Sequence, residues 1–250
     1  MAASASVPLM EDIEGGSDLE EGGGLKNDFA FNNNVAGASK LIRLGFMRKV
    51  YGLLSIQLSI TTLIGAALIL TPGVKEMVQA NSWMLFPAFF LSFGLLIALQ
   101  VKRKVHPTNL ILLAAFTVVE AYTVGVLVTF FDKLVVVQAF FLTAAVVVGL
   151  TIFTFQTKRD FSNMGAALFT GLIVLIMGGF LQVLVGGEIT ETALAVGGAL
   201  LFSLFIIYDT QMIMTRVCPE EYIMATIQLY LDIINLFIEI LKILEKVNRK

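Results

Sequence analysis

From residue 50 to residue 244 the chain is built of apolar runs, each about as long as a bilayer is thick, joined by short polar segments. A helix needs roughly 20 apolar residues to cross the hydrocarbon core, and only helices and closed barrels satisfy their backbone there. The runs predict spans at 50–70, 83–101, 110–131, 134–153, 164–185, 193–215 and 222–244. The expected fold is an all-α integral membrane protein, a seven-transmembrane-helix bundle over residues 39–250, with a disordered acidic N-terminal tail over 1–38. Composition agrees: 57% of residues are hydrophobic and only 14% charged, where a soluble domain carries about a quarter.

The tail contains EDIEGGSDLEEGGG, and residues 1–28 hold seven acids against the single base Lys26. It has too little apolar surface to fold alone. It lacks a basic start leading into an apolar core, so the first span is expected to do the targeting. One cysteine, Cys218, excludes an intrachain disulfide, and one histidine, His106, excludes a multi-histidine metal site. No strongly basic nucleic-acid face is visible. His106 and Pro107 read as a solvated turn after the anchor KRK.

Lysine and arginine orient the chain. The tail and the even-numbered loops hold eleven, and the odd-numbered loops two. The N-terminus is therefore expected in the cytosol. Lys242, Lys246, Arg249 and Lys250 oppose the count if the last segment crosses.

Three acids lie deep within spans: Glu120 in FTVVEAYTVG, Asp209 in IIYDTQ and Asp232 in LYLDIINLF. Glu239 is nearer its helix end, where it can snorkel. The last two helices form a hairpin about CPEE. Asp209 and Asp232 both lie about 11 residues from its turn, roughly 17 Å along each helix. Equal depth on neighbouring helices is what a carboxyl pair requires. No lysine, arginine or histidine lies deep in a span, so the partner is a proton, a cation or another carboxyl. Intramembrane acids mark ion and proton pathways, and two that meet titrate as a pair. The alternative is that each only hydrogen-bonds backbone and orders helix packing.

The segments QAFFLTAAVVV and TFQTKRDFSNMG, then IIYDTQ and YIMATIQLYLDIINLF, resemble the transmembrane Bax inhibitor motif family, most closely its Lifeguard branch with the Golgi anti-apoptotic members. The resemblance covers about residues 40–250. It implies a seven-helix protein of endoplasmic reticulum and Golgi membranes that restrains cell death and lowers stored calcium through a pH-sensitive cation leak. It also implies that Asp209 and Asp232 are the proton sensor and gate, with transient calcium ligation, and that Glu120 matches the third-span glutamate and lies on a cation pathway. The arginine some members carry on the second helix is absent from SWMLFPAFFLSFGLLIALQV.

The expected partners are membrane lipids, calcium and protons, with cell-death or calcium-channel membrane proteins besides. No cofactor and no enzymatic activity are expected. An intramembrane aspartyl protease would need a GxGD setting and a PAL sequence, but Asp232 follows Leu-Tyr-Leu. A non-transporting protein that inhibits apoptosis by binding partners is the competing reading.

Overall fold

A computed structural model describes residues 40–249, and the acidic tail lies outside the described residues. Among the described residues eight α-helices follow one another: α1 Lys40–Leu70, α2 Val74–Ala80, α3 Leu85–Lys102, α4 Thr108–Val128, α5 Lys133–Gln156, α6 Gly165–Val185, α7 Glu188–Thr215 and α8 Tyr222–Asn248. One-turn 3₁₀ segments precede α3, α6 and α8. No strand occurs among the described residues.

Six of the helices, α1 and α3 to α7, are long and apolar enough to cross a membrane. The seventh expected span, α8, is 27 residues long but carries Asp232, Glu239, Lys242, Glu245 and Lys246. Its place in the bundle explains how those charges are tolerated. Its buried residues wind around the helix, from Ile223, Ala225 and Ile227 through Tyr230, Asp232 and Ile234 to Leu241. Helix α8 packs chiefly on α7, then on α5 and α1, and touches α4. It is the axle, and it meets helices where the others meet lipid. The outer helices show the converse pattern. Phe86, Phe89 and Phe90 of α3 and Val183 and Val185 of α6 point outward and exposed, as suits hydrocarbon surroundings.

The far end of α8 returns to the end of the bundle where α7 begins. Lys246 pairs with Glu191 at 2.7 Å, and Asn248 donates to Gln138 of α5 at 3.2 Å. Lys242 and Arg249 pair with Glu239 and Glu245 on α8 itself. Three of the bases that opposed the charge count are thus matched by acids.

Boundaries differ from expectation where polar residues continue a helix. Helix α1 starts ten residues earlier than the apolar run, and α7 starts at Glu188 instead of 193. Helix α4 ends at Val128, short of the expected 131, because Asp132 caps the next helix by accepting from Leu134 N at 2.9 Å. Pro219 begins the 3₁₀ turn that leads into α8, where its missing N–H costs nothing.

Among the glycines within the long helices, Gly65 and Gly125 bring α1 against α4. A Cβ on Gly125 would stand 3.4 Å from the Gly65 Cα and 2.7 Å from Leu68 Cδ1. Gly178 and Gly198 are likewise crowded, by Leu194 and Glu239. Gly149 and Gly179 have open space where a Cβ would go, so they serve no such contact.

Candidate functional site

Asp209 and Asp232 meet. They stand on α7 and α8, the helix pair with the most extensive packing, and their carboxyl groups lie close enough to interact directly. Asp232 is buried, and its Oδ2 has no hydrogen-bond partner among the described residues. Neither aspartate makes an ion pair among the described residues. A pair of this kind can hold a proton between its oxygens, or present oxygen ligands to a cation such as calcium. No group of three or more acidic, histidine or cysteine side chains that could hold a metal occurs among the described residues.

The four residues of YDTQ point in different directions, because successive positions on a helix turn by about 100°. Tyr208 lies over the start of α6, where a Cβ on Gly165 would come within 2.7 Å of its hydroxyl. It packs there against the first turn of α6. Asp209 faces Asp232. Thr210 is fully buried, and its hydroxyl approaches that of Tyr51 from α1 without closing a well-formed hydrogen bond. Gln211 latches the α5–α6 loop. Its Oε1 accepts from Phe161 N at 2.6 Å, and its Nε2 donates to the Arg159 carbonyl at 2.9 Å.

One turn on, Arg216 donates to Ser162 Oγ at 2.5 Å. Ser162 N in turn donates to the Asp160 carboxylate at 2.9 Å. The hydrogen bonds from the Ser162 side chain and backbone hold the exposed Asp160 carboxyl below the usual aspartate range. A lowered folded-state pKa means that this support is present at neutral pH and is lost as acid protonates the group. The TKRDFSN loop is thus held to the end of the helix that carries Asp209. From sequence this segment counted only as a cytosolic loop by its charge and as part of the family resemblance. The signal lay in Gln211, a polar residue two positions after the aspartate.

Glu120 is not part of the pair. It stands on α4 and accepts a hydrogen bond from the Ser92 hydroxyl of α3. On α8 its charge reaches Tyr230, two residues before Asp232 and therefore about 200° around the helix. Helix α8 thus has one acidic centre toward α7 and a second polar face toward α1 and α4. On that face Tyr230 and Thr61 share a hydrogen bond of 2.8 Å, and Gln57 donates to Thr117 at 2.9 Å. None of these four was singled out from sequence.

Residues 43–249 match the family described as Inhibitor of apoptosis-promoting Bax1. The chain is 46% identical to Protein lifeguard 4 of Mus musculus over 90% of this chain and 95% of that protein. It is 44% identical to the Golgi anti-apoptotic protein of Vaccinia virus strain Lister, with the same coverage. It is 41% identical to Bax inhibitor 1 of Schizosaccharomyces pombe over 87% of this chain and 82% of that protein. With the family match spanning nearly the whole described bundle, including both aspartates, this chain belongs to the Bax inhibitor family and is similar to its lifeguard members.

Proposed function

We propose that this protein restrains programmed cell death as a proton-sensitive calcium leak or exchanger of Golgi or endoplasmic reticulum membranes, with Asp209 and Asp232 as its gate. The observation that carries the reading is the meeting of two aspartates between α7 and α8, with no base paired to either among the described residues. The names of the relatives, a Golgi anti-apoptotic protein among them, support the cell-death role and the compartment. With a proton between them the carboxyls bridge the helices, and the path is closed. When the proton leaves, two bare carboxylates repel and the helices part. Glu120 offers a further oxygen ligand on a separate stretch of the cation route.

Seven crossings with a cytosolic N-terminus fit this reading. Helix α8 is roughly 40 Å long at 1.5 Å per residue, and it ends beside the start of α7. A reporter fused before residue 40 should then be cytosolic, and one inserted near Gly187 should be lumenal. Both on one side would overturn the arrangement.

Calcium flux tests the function itself. The purified full-length chain in calcium-loaded liposomes should release calcium somewhere between about pH 6 and 8, a range that brackets neutrality by about one unit either side, and the release should change with pH because the two carboxyls titrate as a pair. Liposomes that remain tight throughout would leave a non-transporting interaction protein, which restrains cell death by binding membrane partners, as the reading.

A further inference from the structure

A polar cavity of about 530 Å³ opens at the end of the bundle opposite Lys246, where α1 begins. Three elements form it: the first turns of α1, the α3–α4 loop, and the 3₁₀ turn that starts α8. Its walls carry Lys49, Arg103, Lys104 and His106. Arg103 and Lys104 pair with Glu221 and Glu220 at 3.1 and 3.3 Å, and these pairs tie the α3–α4 loop to the start of α8. Lys49 has no ion pair among the described residues and instead stands 5.5 Å from the centre of the Tyr222 ring. Arg43 and Arg48, exposed on the same turns of α1, also have no ion pair among the described residues. The cavity is therefore richer in positive charge than its own acids match.

The chain itself supplies the complement. Thirty-nine residues precede α1, whose first turns form the cavity wall. Residues 1–28 contain seven acids and one base, and six of those acids fall between Glu11 and Glu21. The eleven residues from Phe29 to Ser39 can span roughly 36 Å when extended, enough for the acidic stretch to fold back over the cavity mouth. Covalent attachment keeps its effective concentration high.

We propose that the acidic segment around residues 11–21 docks in cis on this basic cavity. There it covers the junction of α1, the α3–α4 loop and the α8 start with carboxylates for Lys49, Arg43 and Arg48. Two features favour the chain's own tail over a lipid headgroup: it is tethered at the cavity rim, and several of its carboxylates can engage at once. The proposal does not depend on the leak reading, since it concerns charge at one end of the bundle and needs no ion flux.

The test measures the distance from tail to cavity in the full-length protein. Nitroxides are placed by Ser17→Cys and Val105→Cys in a Cys218→Ser background, in nanodiscs of zwitterionic lipid. Val105 is exposed on the α3–α4 loop. Pulsed electron-electron resonance at low salt should give a narrow short-distance population. That population should spread and lengthen at 1 M salt, where the screening length falls to about 3 Å. Lys49→Glu should deplete it. So should replacing the acids at 11, 12, 14, 18, 20 and 21 by their amides, a change that leaves the bundle untouched. A broad distribution at low salt, or one indifferent to salt and to the amide tail, would overturn the proposal. Loss of the short distance on mixing with excess unlabelled protein would overturn docking in cis in favour of a second copy's tail. Loss of it when anionic lipid replaces zwitterionic lipid, at the same low salt, would assign the cavity to headgroups.

Discussion

Asp209→Asn and Asp232→Asn should each abolish the pH dependence of calcium release from liposomes, and the double replacement should add little to either. Asparagine keeps the shape and much of the hydrogen bonding of aspartate but cannot ionise. After either change the remaining carboxyl faces a neutral amide, and the charge repulsion that parts α7 from α8 is gone. Its scale is large for a helix interface. Two like charges about 4 Å apart interact by about 4 kcal/mol at an effective dielectric constant of 20, whereas an interhelical hydrogen bond within a membrane averages about 0.6 kcal/mol. Deprotonation can therefore outweigh several packing contacts, and removing one charge removes the whole effect. For that reason the two substitutions should be strongly non-additive. Wild-type flux should rise with pH as the shared proton leaves. Effects of the two single variants that sum in the double variant would mean that the aspartates act separately. A wild-type flux that falls with rising pH would mean that an entering cation draws the carboxylates together.

The equal depth of these aspartates was legible in the sequence, because a hairpin with a turn at CPEE fixes depth by counting residues. That their side chains face each other was not. Depth depends on length, but facing depends on rotation about each helix axis. In spans that are apolar on all sides, the hydrophobic pattern gives no rotation. The same gap hid Ser92 beside Glu120 and Thr61 beside Tyr230: each of these side chains is polar, yet its partner lies on a helix whose azimuth the pattern leaves open. The spans themselves were legible to within a few residues wherever apolarity and helix end together. They were misjudged where a helix runs on through polar residues, as α1 does through KLIRLGFMRK and α7 through EITET. The short helix α2, with its lysine and glutamate, lay in a loop too polar to read as a span. Helix α8 carries the charge of an exposed segment yet occupies the centre. Sequence composition describes what a residue prefers, not which neighbours surround it.

Tyr230 separates packing from hydrogen bonding at that centre. Its side chain is fully buried, its ring packs edge-on against Phe116 with centroids 6.3 Å apart, and its hydroxyl meets Thr61. Tyr230→Phe keeps the ring and deletes one hydroxyl. The Thr61 hydroxyl retains its bond to the Gln57 carbonyl at 2.9 Å, so no buried donor is orphaned, and the cost should be about 0.6 kcal/mol. Tyr230→Ala removes the ring from the axle of the bundle. In water-soluble proteins an aromatic-to-alanine change in the core costs about 3–5 kcal/mol, part of it from lost transfer out of water. Within a bilayer the unfolded reference also sits in hydrocarbon, so the transfer part shrinks and the lost van der Waals contacts remain. The alanine variant should therefore lose about 2–3 kcal/mol, several times the phenylalanine loss. Unfolding of the purified protein in mixed micelles measures both. Equal losses would mean that the Thr61 bond, rather than the ring, holds α8 against α1 and α4. A negligible loss for alanine would mean that α8 can close over the missing ring and is not the tightly packed axle of the bundle.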